Sequence, residues 1–312
     1  MSEIETNAIE KQIFTISGSN TLSILEHLHI ETGLAKHELK QYALKGAVWL
    51  AHTRSNGQHS KPERIRRLKK VLKANQTVHF NFNAELLNQV VPAPILIKDF
   101  QQYSVWLKPR GMLSQGSKWA DHTALYRWVE MHHVSDDTPN GSHRYCWIVH
   151  RLDRATCGLM LLAHNKKMAS TLSHMFEKHQ IHKTYQAIVW GKPNSLQFTI
   201  DENIDDKSAV SHVKVIKSIL LKTGQTLSQL EIKIDTGRKH QIRRHLSSLK
   251  LPIVGDRLYG DLNQDDYFDK RPNLQLTAYQ LLFQCPISNT DNHFELTKNQ
   301  LDLLNLSHIE DE

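Results

Sequence analysis

Residues 149–163 read Val-His-Arg-Leu-Asp-Arg-Ala-Thr-Cys-Gly-Leu-Met-Leu-Leu-Ala, and this stretch constrains the fold more tightly than any other. Leu159–Ala163 is an unbroken apolar run that follows the small-residue turn Thr156, Cys157, Gly158. A run of this length bounded by turn residues is a buried strand. It is about a quarter of the ~20 residues a membrane-spanning helix needs. The chain must therefore bury the strand in a core while holding a charged loop at its start. In that loop one carboxylate, Asp153, lies between Arg151 and Arg154. Flanking positive charge would keep it ionised. An ionised carboxylate there suits a nucleophile or a base, and equally a salt bridge that only ties down the loop.

The chain has 312 residues, which at roughly 100–200 residues per domain predicts about two domains. With 39% hydrophobic and 23% charged residues, the composition is that of a globular protein and excludes disorder of the whole chain. The pattern divides it into a loose N-terminal tail (1–17), a small basic module (18–82), a linker (83–94), a larger domain (95–304) and an acidic C-terminal tail (305–312). The linker ends in Val-Val-Pro-Ala-Pro, whose prolines turn the chain away from helix. In the module, Asn20-Thr21 is a candidate helix cap, Ala35–Lys45 a second helix, Ala47–Leu50 and Thr77–Phe82 strands, and 53–61 a polar loop. In the larger domain, strands are expected at Ser104–Leu107, Leu159–Ala163, Tyr185–Val189 and Leu230–Ile234, and helices near 121–133, 165–178 and 239–249. Leu230–Ile234 alternates strictly, the mark of a sheet with one buried face.

The net charge of +7 conceals an uneven distribution. Residues 33–80 hold eleven Lys/Arg against two acids and residues 140–260 nineteen against nine, whereas the remainder is acidic. Two basic segments of this density point to phosphate backbones as partners. Lys36, Lys40 and Lys45 fall near helical spacing, and Arg64, Arg66 and Arg67 form a run beside them. The acidic start lacks the basic and apolar regions of a secretory signal. Three cysteines without a CxxC pair fit reduced thiols. A cytoplasmic location is therefore expected, with neither disulfides nor a zinc site. Twenty histidines include no HExxH pair, so no metal ligand set is expected.

Two further segments carry candidate chemistry. Thr236-Gly237 breaks the alternating strand, and the helix that follows places Ile242, Leu246 and Leu249 on one stripe with Arg243 and Arg244 beside it. An arginine just past a strand end can offer its fork to a carboxylate or a phosphate. Tyr185 shares the parity of Ala187 and Val189, a position that by spacing alone reads as core.

Four ordered motifs then combine: His150-Arg-Leu-Asp-Arg-Ala-Thr-Cys-Gly-Leu, Lys183-Thr-Tyr-Gln-Ala with Gly191, Gly237-Arg-Lys-His-Gln-Ile-Arg-Arg-His-Leu, and Pro252-Ile-Val-Gly-Asp. Together they resemble the motifs of the RluA-type RNA pseudouridine synthases, with Lys108-Pro-Arg-Gly similar to that family's opening turn, and the likeness spans about 95–300. Where the family has Ser, this chain has Cys157. The order of helix, Leu39-Lys-Gln-Tyr-Ala-Leu-Lys-Gly-Ala-Val-Trp-Leu, and strand resembles the small RNA-binding module first described in a ribosomal protein of the small subunit.

The resemblance implies an α+β fold, with a mixed, mainly antiparallel central sheet and flanking helices beside a small basic α/β module. It also implies an enzyme that isomerises uridines of transfer or ribosomal RNA without cofactor or metal, acting on flipped-out bases. By motif, Asp153 is the catalytic acid, Arg243 its ion-pair partner, and Tyr185 the ring that stacks on the uracil. Arg151 fills the space left by the base, while Leu152, Leu159 and Ile242 floor the pocket. Arg154, Lys183, Arg238, Lys239, His240 and Arg244 contact RNA, as do the module's Lys36, Lys40, Lys45, Arg64, Arg66 and Arg67. A monomer with RNA as its partner and no membrane contact is expected. The competing reading is an RNA-binding or chaperone protein that has lost catalysis on the same fold. A metal-dependent nuclease would need clustered carboxylates.

Overall fold

The computed structural model describes residues 11–54, 57–133 and 144–311. They form two compact units, one of the chain up to Val91 with Gln115–His133, the other of Pro92–Ser114 with the remainder.

The first unit contains β1 (Lys11–Ser17), α1 (Ile24–Thr32), α2 (Lys36–Leu44), β2 (Val48–His52), β3 (Glu63–Arg64), β4 (Gln76–Asn83), α3 (Ala84–Asn88) and α4 (Leu125–His132). Its four strands pair antiparallel in the order β1-β4-β2-β3. Leu28, Leu39, Val48, Leu72 and Phe80 form the core beneath the helices. The cap of α1 is Ser23 rather than Asn20-Thr21. Ser23 Oγ accepts from the Glu26 N–H at 3.2 Å and the Glu26 carboxylate accepts from the Ser23 N–H at 3.0 Å, a reciprocal box that satisfies two helix-end donors.

Several expected boundaries move. Residues 11–17 are strand rather than tail: β1 pairs with β4 from Lys11↔Asn83 to Ser17↔Thr77, and Phe14 and Ile16 pack on the core. Residues 1–10 lie outside the described set, as do 55–56 of the expected polar loop. The expected linker contains α3, whose Leu87 is fully buried in the same core. The span expected as one domain at 95–304 is interrupted, because Gln115–His133 belongs to the first unit. The reason is Asp121. Its buried Oδ2 accepts from Arg64 at 2.7 Å, Arg66 at 2.6 Å and the Tyr126 hydroxyl at 2.8 Å.

The second unit contains β5 (Ile95–Asp99), β6 (Tyr103–Lys108), β7 (Trp147–Ile148), β8 (Cys157–Ala163), α5 (Lys166–Glu177), β9 (His182–Trp190), β10 (Gln197–Asp201), β11 (Val210–Leu220), β12 (Thr226–Ile234), α6 (Gln241–Ser248), α7 (Leu262–Asp265), β13 (Leu276–Gln284), β14 (Asp291–Glu295) and α8 (Leu306–Asp311). Ten strands form one sheet in the order β10-β11-β12-β9-β13-β8-β6-β5, with β14 on β13 and β7 on β8. Among the described residues β8 and β13 run parallel and the other pairs antiparallel. This is the mixed, mainly antiparallel α+β sheet that the motifs imply. All seven residues of β8 are buried, as its apolar run requires. The expected acidic tail at 305–312 contains α8, and Leu306 packs with Ile188 and Trp190. Among the described residues no helix is long and apolar enough to cross a membrane.

Candidate active site

Asp153 lies in the loop between β7 and β8, and several short contacts fix that loop. The Thr156 N–H donates to the Asp153 carbonyl at 3.1 Å. Ser114 Oγ accepts from the Leu152 N–H at 2.9 Å and donates to the Leu152 carbonyl at 2.6 Å. The Gly111 N–H donates to the Arg154 carbonyl at 2.8 Å, and Arg154 Nε returns a bond to the Gly111 carbonyl at 3.2 Å. Lys108, wholly buried, holds the Gly111 turn from beneath by donating to the carbonyls of Pro109 at 3.1 Å and Met112 at 2.9 Å. Burial lowers its pKa to about 7. At the end of the loop Gly158 has φ +135°, and a Cβ there would collide with the Ala278 backbone. Glycine is what lets β8 lie against β13.

Tyr185 faces inward from the middle of the sheet, between Ile232 of β12 and Ala278 of β13. Burial raises its pKa, and the nearby charge of Asp153 raises it further, so the phenol stays protonated at neutral pH. Arg243 comes from the first turn of α6. The start of that helix is pinned by Gln241, which accepts from the Thr236 hydroxyl at 2.7 Å and donates to the Val210 carbonyl at 2.9 Å.

Asp153, Tyr185 and Arg243 converge on a cavity of about 350 Å³, which Arg151, Leu152, Lys183, Arg238, Lys239, His240 and Ile242 also line. The Asp153 side chain is 20% exposed, enough to meet a substrate, and its Oδ2 lies 3.5 Å from Arg243 Nη1. The shorter ion pair of Arg243 is with Asp256, a residue the motifs contain but to which sequence reasoning gave no role. Nε and Nη2 of Arg243 donate to the two Asp256 oxygens at 2.7 Å each. Burial opposes both charges, but the contacts outweigh it, so the Arg243 pKa is raised and that of Asp256 lowered. Asp256 is held in turn by the N–H groups of Leu258 and Tyr259. The guanidinium that faces Asp153 is therefore anchored by a second carboxylate behind it.

His150 and Phe176 were also missed. His150 Nε2 accepts from the Leu161 N–H at 2.9 Å, which puts the ring hydrogen on Nδ1, and its ring packs 4.4 Å from Phe176. Burial, then the charge of Lys183, lowers its pKa well below the usual value. Lys183 lies 5.3 Å from the Phe176 ring and is lowered by burial to about 8. The available signal was the clustering of His150, Phe176 and Lys183 in and beside the motifs.

Other expected residues fall elsewhere. Leu159 is fully buried in the core with Leu161 and Leu281 and does not floor the cavity. Arg154 lies outside the cavity, closing the Gly111 turn. Arg244 pairs with Asp205 at 3.0 Å on the surface. In the first unit Arg64 and Arg66 are consumed by Asp121 and by the carbonyls of Gly46 and Leu44. Lys45 donates to the Leu87 carbonyl at 2.7 Å. These three bonds help to hold their own unit together. Lys36, Lys40 and Arg67 are exposed. Cys157 is buried at the start of β8, and burial raises its thiol pKa.

The cavity thus holds the Asp153 carboxylate, faced by an anchored guanidinium and a buried tyrosine of the mixed sheet. The family model for RNA pseudouridylate synthase matches residues 102–248. Over 205 residues the chain is 35% identical to a tRNA pseudouridine synthase C of Pectobacterium carotovorum subsp. carotovorum, covering 58% of this chain and about half, 53%, of that one. It is 32% identical over 197 residues to a dual-specificity RNA pseudouridine synthase RluA of Vibrio parahaemolyticus, covering 58% of this chain and 74% of that one. The solved structure of human RNA pseudouridylate synthase domain containing 1 shares the fold, with a TM-score of 0.53, 20% identity, and coverage of 66% of this chain and 84% of that one. The chain belongs to the RluA-type RNA pseudouridine synthases.

Proposed function

We propose that the chain converts uridine to pseudouridine in structured transfer or ribosomal RNA, with Asp153 as the catalytic residue. The observation that carries this reading is the Asp153 carboxylate, partly open to a cavity of about 350 Å³ that also holds Tyr185 and Arg243. The bond from uracil N1 to C1′ breaks and one from C5 to C1′ forms. C5 loses a proton and N1 gains one, so composition is unchanged. Asp153 attacks the ribose or removes a proton beside C1′, with Arg243 facing it. Tyr185 stacks on the detached base and Arg151 fills the place the base left in the RNA. Leu152 and Ile242 keep water from the base while it turns. The base must first leave its stack, at a cost of a few kcal/mol, and cavity contacts repay it.

Cationic side chains at the mouth, Arg238 and Lys239, suit phosphates on either side of the target. Lys36, Lys40 and Arg67 of the first unit extend that role to a docking surface. Mapping pseudouridine at single-base resolution in total RNA tests the proposal, using cells that carry the gene, lack it, or carry Asp153→Asn. One or a few positions should lose the modification in the last two strains. A map identical in all three would leave RNA binding without catalysis as the function.

A further inference from the structure

Tyr259 stands behind two groups that address Asp153 from different sides. Its N–H donates to Asp256 Oδ1 at 3.1 Å and its carbonyl accepts from Ser247 Oγ at 2.8 Å, so its position is fixed. The Arg243 guanidinium lies 5.1 Å from its ring centroid, and its hydroxyl meets His240 Nδ1 at 3.0 Å. The far nitrogen of that imidazole, Nε2, faces Asp153 Oδ1 at 3.8 Å, while Arg243 Nη1 faces Oδ2 at 3.5 Å. His240 also has a left-handed backbone, φ 56° and ψ 27°, just before α6. A residue with a Cβ keeps that conformation where its surroundings over-determine it, and such positions gather at working sites.

We propose that His240 is a positioning residue for Asp153, acting as the neutral Nε2–H tautomer that the Tyr259 hydroxyl selects by donating to Nδ1. An ionised carboxylate can only accept, so a hydrogen bond from the imidazole nitrogen facing it requires the hydrogen on Nε2. Nδ1 is then an acceptor and Tyr259 the donor. Burial favours the neutral ring. Asp153 opposes that effect, Arg243 and Lys239 add to it and Asp256 opposes it, leaving the pKa below its ordinary value. His240 and Arg243 thus hold one oxygen each and set the angle at which the carboxylate meets the ribose. Both contacts are longer than hydrogen bonds and shorten when RNA fills the cavity, as contacts at a site without substrate commonly do.

The assignment rests on the proposed role of Asp153 and replaces the expected role of His240 as an RNA contact. It is tested by kcat and KM for tritium release from RNA labelled at uracil C5, together with the imidazole 15N shifts of the free protein. His240→Gly accepts the left-handed backbone, so the fold is kept. Its kcat should fall about 10- to 100-fold, the scale of a small misplacement of a reacting group, with KM and its salt dependence unchanged. Tyr259→Phe keeps the ring under Arg243 and should lower kcat by less, and the double variant should fall no further than His240→Gly alone. A raised KM and shallower salt dependence at full kcat would make His240 an RNA contact. Full activity of His240→Gly would leave it a backbone role only. The 15N shifts should show Nδ1 without hydrogen at neutral pH, and the opposite tautomer overturns the assignment. If the wild type releases no tritium from any RNA, it is the functional reading that fails, and the 15N shifts still decide the tautomer.

Discussion

At the scale of single residues, the site depends on burying charge in pairs. Arg243 and Asp256 have side chains 6% and 1% exposed and meet through two bonds of 2.7 Å. Removing one partner leaves the other charged and dry. Asp256→Asn should therefore cost about 3 kcal/mol of stability, the usual scale for breaking a buried pair, and should lower kcat because Arg243 no longer points at Asp153. Urea unfolding beside the tritium assay reads both effects. Lys108 is a buried cation held by the carbonyls of Pro109 and Met112, and it gives a pH signature. Its ordinary pKa of 10.5 falls to about 7 in the fold, so between these values the unfolded chain binds a proton that the native state does not. Stability conferred through this group rises with pH over that window, and the burial cost is borne in full below about pH 7. Lys108→Met removes the group, so the wild type should gain stability relative to that variant as pH rises from 7 to 10. A constant difference would show that Lys108 does not titrate as its burial demands. Asp153, Tyr185 and Arg243 were legible because they recur in ordered motifs. Asp256, Tyr259 and the cradle of His150 were not, because their partners are set by long-range packing that spacing does not reveal.

At the scale of elements, the legible strands were those with one clean signal. β8 showed an unbroken apolar run and β12 the alternation that buries Leu230 and Ile232. β11 was missed because its residue types do not mirror its burial: Ser211 is buried on the inward side, whereas Ile216 and Leu220 are exposed. β13 was missed because Leu276–Tyr279 are buried on both faces and a second irregularity follows at Ala278/Gln280. The stripe expected on α6 was right for Ile242 and Leu246, whereas Leu249 lies past the helix end and is exposed. The β8–β13 pair depends on Gly158. Gly158→Ala places a Cβ against the Ala278 backbone at φ +135°, which should cost at least about 2 kcal/mol through strain and overpacking. The urea midpoint measures the cost, and an unchanged midpoint would mean that the two strands can separate freely.

At the scale of the whole molecule, the charge pattern divides into structural and available cations. Arg64, Arg66 and Lys45 are bonded to Asp121 and to carbonyls of the first unit. Lys36, Lys40 and Arg67 remain exposed. The triple change of these to Ala should reduce the slope of log affinity against log salt by about 2, somewhat under one for each phosphate no longer neutralised, and leave unfolding nearly unaltered. An unchanged slope would remove the first unit from RNA docking. The interruption of the larger domain by Gln115–His133 was hidden from sequence because a buried carboxylate, Asp121, rather than an apolar pattern, draws that segment into the first unit. The proposed activity turns on Asp153, and the most direct measurement is tritium release from RNA labelled at uracil C5, wild type against Asp153→Asn. Release by the wild type and none by the variant is the predicted result, and release by both at equal rates would contradict the account.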